Sequence, residues 1–86
     1  MLTGVEIART AKEQLTTLTG LEANTVASLS NDEEGWHASV EMVELKRIPD
    51  AQTVLASYGV LLDSSGTVLR YQRTRRYLRG AVGEEP

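Results

Sequence analysis

Apolar residues along this chain recur first at helical spacing and then, after Gly20, at every second position. Ala8, Ala11, Leu15 and Leu18 fall on one side of a 3.6-residue period, which predicts an amphipathic helix at the start of the chain. Thr3 stands three residues before Glu6, the spacing of a capping box in which each side chain satisfies the other's backbone amide. Gly20 supplies the left-handed cap that ends such a helix. The alanines are small enough to let it lie close to a sheet.

From there the period of two predicts strands. Thr25 to Ser30 is a short, weak candidate with Val26 and Leu29 as its apolar residues, followed by turn chemistry in Asn31-Asp32-Glu33-Glu34-Gly35. Trp36, Ala38, Val40 and Met42 then alternate with His37, Ser39 and Glu41, as in a half-buried strand. Val43 and Leu45 come in on the opposite phase, which calls for either a bulge near Met42 or cover on the second face. Pro49 breaks the ladder, and Asp50 can start one helical turn over Ala51–Leu55. Ala56, Tyr58, Val60 and Leu62 make a third strand, and Asp63-Ser64-Ser65-Gly66 is a hairpin turn. The fourth strand runs from Thr67, with Arg73, Arg75, Tyr77 and Arg79 expected on one phase and Val68, Arg70, Gln72, Thr74, Arg76 and Leu78 on the other. The predicted fold is α+β: an N-terminal helix packed on one face of a three- to four-stranded antiparallel meander sheet. Residues 1–80 are expected to be a single domain and 81–86 a flexible acidic tail.

Composition narrows the function. A chain of 86 residues without cysteine has no disulfide, no thiol nucleophile and no Cys-based zinc site, and so reads as cytoplasmic rather than secreted. No apolar run has the length of a membrane span. The net charge is −3, but Arg70, Arg73, Arg75, Arg76 and Arg79 crowd into ten residues while acids gather at Asp32-Glu33-Glu34, Glu41 and Glu44. That asymmetry suits oriented contact with proteins better than general nucleic-acid binding.

Candidate chemistry is thin. His37 is the one histidine; it would need a Ser nucleophile or a metal partner to act, and it reads instead as an exposed strand residue beside Trp36. The acidic turn lacks the alternating ligands of a calcium loop. Glu41 and Glu44, three apart in a strand, point to opposite faces and cannot cooperate as an acid–base pair. No phosphate-cradling glycine loop follows a strand. No catalytic, cofactor or metal residue is therefore assigned. The stretch from Arg70 to Arg79 mixes arginines with two tyrosines, which would serve a regulatory nucleic-acid-binding module, but the chain's acidity and lack of a second basic patch count against it.

Gly35-Trp36, Val40-Glu41-Met42-Val43-Glu44, Arg47-Ile48-Pro49-Asp50, Val54-Leu55-Ala56-Ser57-Tyr58, Leu62-Asp63-Ser64-Ser65-Gly66 and Tyr71-Gln72-Arg73-Thr74-Arg75-Arg76-Tyr77-Leu78-Arg79-Gly80 together resemble the gas vesicle protein O family. The resemblance covers more than half the chain, in the family's order and spacing. Two features depart from it: Gly59 follows Tyr58 where the family tends to have Glu, and the N-terminal region is short. The resemblance implies an accessory protein of gas vesicle formation without known catalysis, whose partners are vesicle shell and accessory proteins. It would lie in the cytoplasm, at the vesicles. On physical grounds Trp36, Pro49, Tyr58, Asp63 and Gly66 read as structural. Glu41, Glu44, Arg47, Arg73, Arg75, Arg76, Tyr77 and Arg79 read as exposed or half-exposed and are assigned to protein contact, with the open sheet face as a surface for self-association.

Overall fold

A computed structural model describes residues 2–80; the expected tail over 81–86 lies outside the described residues. Helix α1 spans Gly4–Thr19, and the strands that follow are β1 (Glu22–Asp32), β2 (Gly35–Leu45), β3 (Val54–Leu62) and β4 (Val68–Leu78), with a 3-10 turn at Asp50–Gln52. Every neighbouring pair is antiparallel and the order in the sheet is β1-β2-β3-β4, so this is the expected α+β meander with all four strands present. The first strand is nearly twice as long as the Thr25–Ser30 segment suggests, because β2 offers a partner for residues with little strand propensity of their own.

Helix α1 begins as its sequence requires. Thr3 Oγ1 accepts from the Glu6 amide at 3.2 Å and Glu6 Oε1 accepts from the Thr3 amide at 2.8 Å. Gly20 closes it at φ 76° with its amide donating to Thr16 O. Ile7, Ala11 and Leu15 bury completely against Ala38, Val40 and Met42 of β2 and Ala56, Tyr58, Val60 and Leu62 of β3. Ile7 thus belongs to the stripe the spacing assigns to Ala8. Leu18 shares the direction of that stripe but remains exposed. Trp36, read from the sequence as structural, packs on the core's margin and is half-buried.

The phase change in β2 comes from cover on both faces. Ala38, Val40 and Met42 stay on the helix face, and the irregularity lies beyond them, between Val43 and Leu45. On the other face Glu41 and Val43 of β2 are buried together with Leu55, Ser57 and Leu61 of β3. The inner strands pair with each other regularly up to that point, whereas the register with β1 skips Asn24 and Ala27 and the register with β4 skips Leu69 and Thr74. Each extra residue bends the strand that carries it. The Asp63–Gly66 turn forms as expected: Asp63 Oδ1 accepts from the Ser65 and Thr67 amides, and Gly66 takes φ 86° against the helix.

Candidate functional site

The bulges of β4 decide where its charged side chains go. A strand alternates faces residue by residue, so an extra residue at Thr74 reverses the phase beyond it. Arg73 sits opposite Tyr58 and Arg76 opposite Ala56, both on the helix face; Arg75 sits opposite Ser57 and Tyr77 opposite Leu55, both on the other face. The expected row of Arg73, Arg75, Tyr77 and Arg79 on one phase is thereby corrected. The β4 residues expected to make contact therefore fall on two opposite faces rather than on one surface.

On the helix face Glu44 receives two guanidiniums. Arg73 Nη1 lies 3.0 Å from its Oε2 and Arg76 Nε 2.8 Å from its Oε1. Between β2 and β4 stands Ala56, fully buried and small enough for both arginines to pass over β3. The Glu44 side chain is 13% exposed while the two arginines lie about half in solvent. One shielded carboxylate therefore fixes two cations whose outer surfaces stay available, and the cluster keeps a net positive charge. Tyr71 continues this face, its ring 6.2 Å from that of Tyr58 and tilted 43°.

On the other face Glu41 is the centre. Ser57 Oγ donates to its two oxygens at 2.8 and 2.9 Å, and the Tyr77 hydroxyl donates to Oε1. The Arg75 guanidinium stacks on the Tyr77 ring, 4.4 Å from its centroid. Burial first, then the Glu41 hydrogen bond and charge, push the Tyr77 phenol up to about 12, so it stays a donor across the physiological range. A hollow of about 450 Å³ opens here, with Glu41 and Leu55 in it, Asn24, Thr25 and Ala27 of β1 on one side and Arg75, Tyr77 and Arg79 on the other. Glu41, expected to be exposed or half-exposed, is buried because β4 folds Tyr77 over it.

Arg79 and Arg47 play different parts. Arg79 Nη1 lies 2.7 Å from both carboxylate oxygens of Asp50, and its amide donates to Thr53 O, tying the end of β4 to the 3-10 turn. The hydrogen bond from the Arg79 guanidinium is the leading reason the Asp50 carboxyl is held below its usual range. The Arg47 backbone is held by Thr53, but among the described residues no ion pair joins its side chain to either cluster. Ser57 and Asp50, which hold Glu41 and Arg79, are not among the residues that the sequence assigns to contact. Glu41 and Glu44 do point to opposite faces, as a strand period of two requires.

His37 meets the acidic turn instead of a catalytic partner. Its Nε2 is 3.0 Å from Asp32 Oδ2 and 3.4 Å from Glu34 Oε1, and Glu34 is also 3.6 Å from Arg70. Ligand atoms of Asp32, Glu34 and His37 lie within 4.8 Å of one another, but all three side chains reach solvent and their mutual hydrogen bonds account for the grouping. No helix among the described residues is long and apolar enough to cross a membrane.

Comparison with known proteins places this chain in a family. The model of the family described as "Gas vesicle synthesis protein GvpO" matches residues 1–83. "Gas vesicle protein O" of Streptomyces sp. (strain CB03234) is 47% identical over 76 residues, covering 88% of this chain and 59% of the relative. "Gas vesicle protein O1" of Halobacterium salinarum is 45% identical over 56 residues, covering 65% of this chain and 46% of the relative. "Gas vesicle protein O" of Haloferax mediterranei is 40% identical over 52 residues, covering 60% and 37%. The chain thus spans about half the length of the curated relatives it matches. No solved structure matches it.

Proposed function

This chain belongs to the GvpO family of gas vesicle synthesis proteins, and from that membership we propose that it takes part in gas vesicle formation by binding other proteins, in an assembly or chaperone-like role. The observation that carries this reading is the Glu44 cluster. Two arginines on an edge strand share one shielded carboxylate, which sets their geometry and leaves their outer surfaces for a partner. An arrangement that only neutralised charge would not need two guanidiniums per carboxylate. The partners proposed are vesicle shell and accessory proteins, met in the cytoplasm at the growing vesicle, and a second copy is a further candidate at the open sheet face.

No catalysis is proposed, since the buried polar groups are spent on hydrogen bonds: Glu41 on Ser57 and Tyr77, and Thr53 on Arg47 and Asp50. Its test is the double variant Arg73→Ala/Arg76→Ala, made in a host that forms vesicles and checked for an unchanged circular dichroism spectrum. Vesicle formation should fail, and pull-down of a shell or accessory protein by the wild-type chain should be lost. Normal vesicles from a well-folded double variant would refute the proposal. Nucleic acid carried through the pull-down until nuclease treatment, with no protein retained, would refute it in favour of a regulatory nucleic-acid-binding module.

A further inference from the structure

Leu18 lies two helical turns after Ala11 and so points toward the sheet with the core stripe, yet it is 52% exposed. Its exposure follows from the width of the sheet. Four strands spaced about 4.8 Å apart make a face about 19 Å wide, and one helix with its side chains covers about 10 Å of it. Helix α1 lies over β1, β2 and β3, and reaches β4 through Gln14, which accepts from the Val68 amide at 2.9 Å and donates to Gly66 O at 2.6 Å. Alongside it runs a groove of about 300 Å³ lined by Glu13, Gln14, Thr17 and Leu18 of the helix and Val68 of β4. Farther along β4 the same face carries Tyr71, also partly exposed, and then Arg73 and Arg76 with their single carboxylate.

We propose that this groove receives an amphipathic helix of a partner protein, laid beside α1 on the β4 half of the sheet, with its apolar stripe on Leu18 and Val68 and its acidic flank on Arg73 and Arg76. The inference rests on the reading of β4 as a contact strand and adds the chemistry of what it contacts. Charge selects the guest: beyond the groove, farther along the same face, β4 carries two guanidiniums for one carboxylate, so an acidic flank reaching that stretch gains and a basic one is repelled. Form selects it too. The groove lies on a face, where the strands' backbone groups are already paired, so an added strand finds no ladder there, whereas a helix fits the space left beside α1. A second copy does not provide this guest, because its own helix buries its apolar stripe against its own sheet.

The test uses the full chain and a fluorescein-labelled peptide of about 18 residues, five helical turns, with leucines on one stripe and glutamates on its flanks. A version with lysines for glutamates and a version broken by a central proline serve as comparisons. The acidic peptide should bind saturably, at least about tenfold more tightly than either comparison. Leu18→Glu should weaken it by about tenfold or more, since it removes apolar contact and adds repulsion. Ser28→Glu, on the opposite face of β1, should not change it, and Arg73→Glu/Arg76→Glu should shift preference to the lysine peptide. Absence of saturable binding, or equal binding by Leu18→Glu, would overturn the groove. In the vesicle-forming host the two readings separate. Normal vesicles with Leu18→Glu beside failed vesicles with Arg73→Ala/Arg76→Ala would overturn the groove and leave the contact strand standing; normal vesicles with both would overturn the contact strand itself.

Discussion

Tyr77 on β4 and Glu41 on β2 are joined across an intervening strand, the phenol donating to the carboxylate over Ser57 of β3, which donates to both carboxylate oxygens. A buried carboxylate is tolerated only when donors replace its lost water. Tyr77→Phe keeps the ring that Arg75 stacks on and removes one of those donors. It should destabilise the fold by about 1–3 kcal/mol, the usual cost of a hydrogen bond to a buried charge. Urea unfolding of the two proteins measures this, and a loss below a few tenths of a kcal/mol would show that water takes the place of the hydroxyl.

The same pair sets an alkaline limit. The Tyr77 phenol is pushed up from 10 to about 12, mainly by burial and then by the Glu41 hydrogen bond and charge. A phenol whose folded value is raised contributes stability that is fully present below its unfolded value and is lost as pH climbs toward the folded one. Wild type should therefore lose stability between about pH 10 and 12. Tyr77→Phe should lose less over the same window, and its tyrosinate absorbance titration should lack the latest phase. An unchanged titration would mean that another tyrosine titrates last.

How much of this was legible beforehand depended on whether a feature was local. The capping box of Thr3 and Glu6, the Gly20 stop and the Asp63–Gly66 turn are written in a few adjacent residues, and the structure shows all three. The back-to-back split of the contact residues was not legible. It depends on the extra residue at Thr74, and a bulge is a mismatch between two strands rather than a pattern within one. Glu41 was misread for a related reason. Alternation places it on a face without a helix, but only the register brings Tyr77 and Ser57 over it.

Leu15 and Leu18, three residues apart on one helix, should respond oppositely to truncation. Leu15 is fully buried, so Leu15→Ala should cost about 2–5 kcal/mol through lost contact and a cavity. That is a large fraction of the stability of a small domain. Leu18→Ala, half in solvent, should change stability by less than about 0.5 kcal/mol. Thermal unfolding followed by circular dichroism separates them, and equal losses would mean that Leu18 is buried in solution.

Gly66 is held at φ 86°, where a side chain costs about 1–2 kcal/mol. A Cβ there would also stand 2.7 Å from Leu2 Cδ1, which can swing away, and 3.4 Å from Thr10 Cγ2, which is anchored on the helix. Gly66→Ala should lower the unfolding midpoint, and Gly66→Asn, whose side chain tolerates this conformation, should recover part of the loss. If Asn is no better than Ala, crowding against the helix outweighs backbone strain.

Asp50 and Arg79 should show their effect at acid pH. The Arg79 hydrogen bond is the largest cause holding the Asp50 carboxyl below its usual value, followed among the lowering causes by the Arg79 charge and the Thr53 hydrogen bond. A carboxyl with a lowered folded value contributes stability present above its unfolded value, near about 4, and lost as pH falls through the folded value. Both side chains reach solvent, so the effect is modest and weakened by salt. Glu6 and Asp32 are lowered as well and act in the same direction, so the signal lies in a difference between proteins rather than in the wild-type curve alone. Asp50→Asn should be less stable than wild type at pH 7, and the gap should close as pH falls below about 4. Arg79→Ala should follow the same course, and the double variant should add little to either single one. Urea midpoints measured across that range decide it: a gap that persists at low pH would assign the loss to the Thr53 hydrogen bond and the backbone of the 3-10 turn rather than to the ion pair.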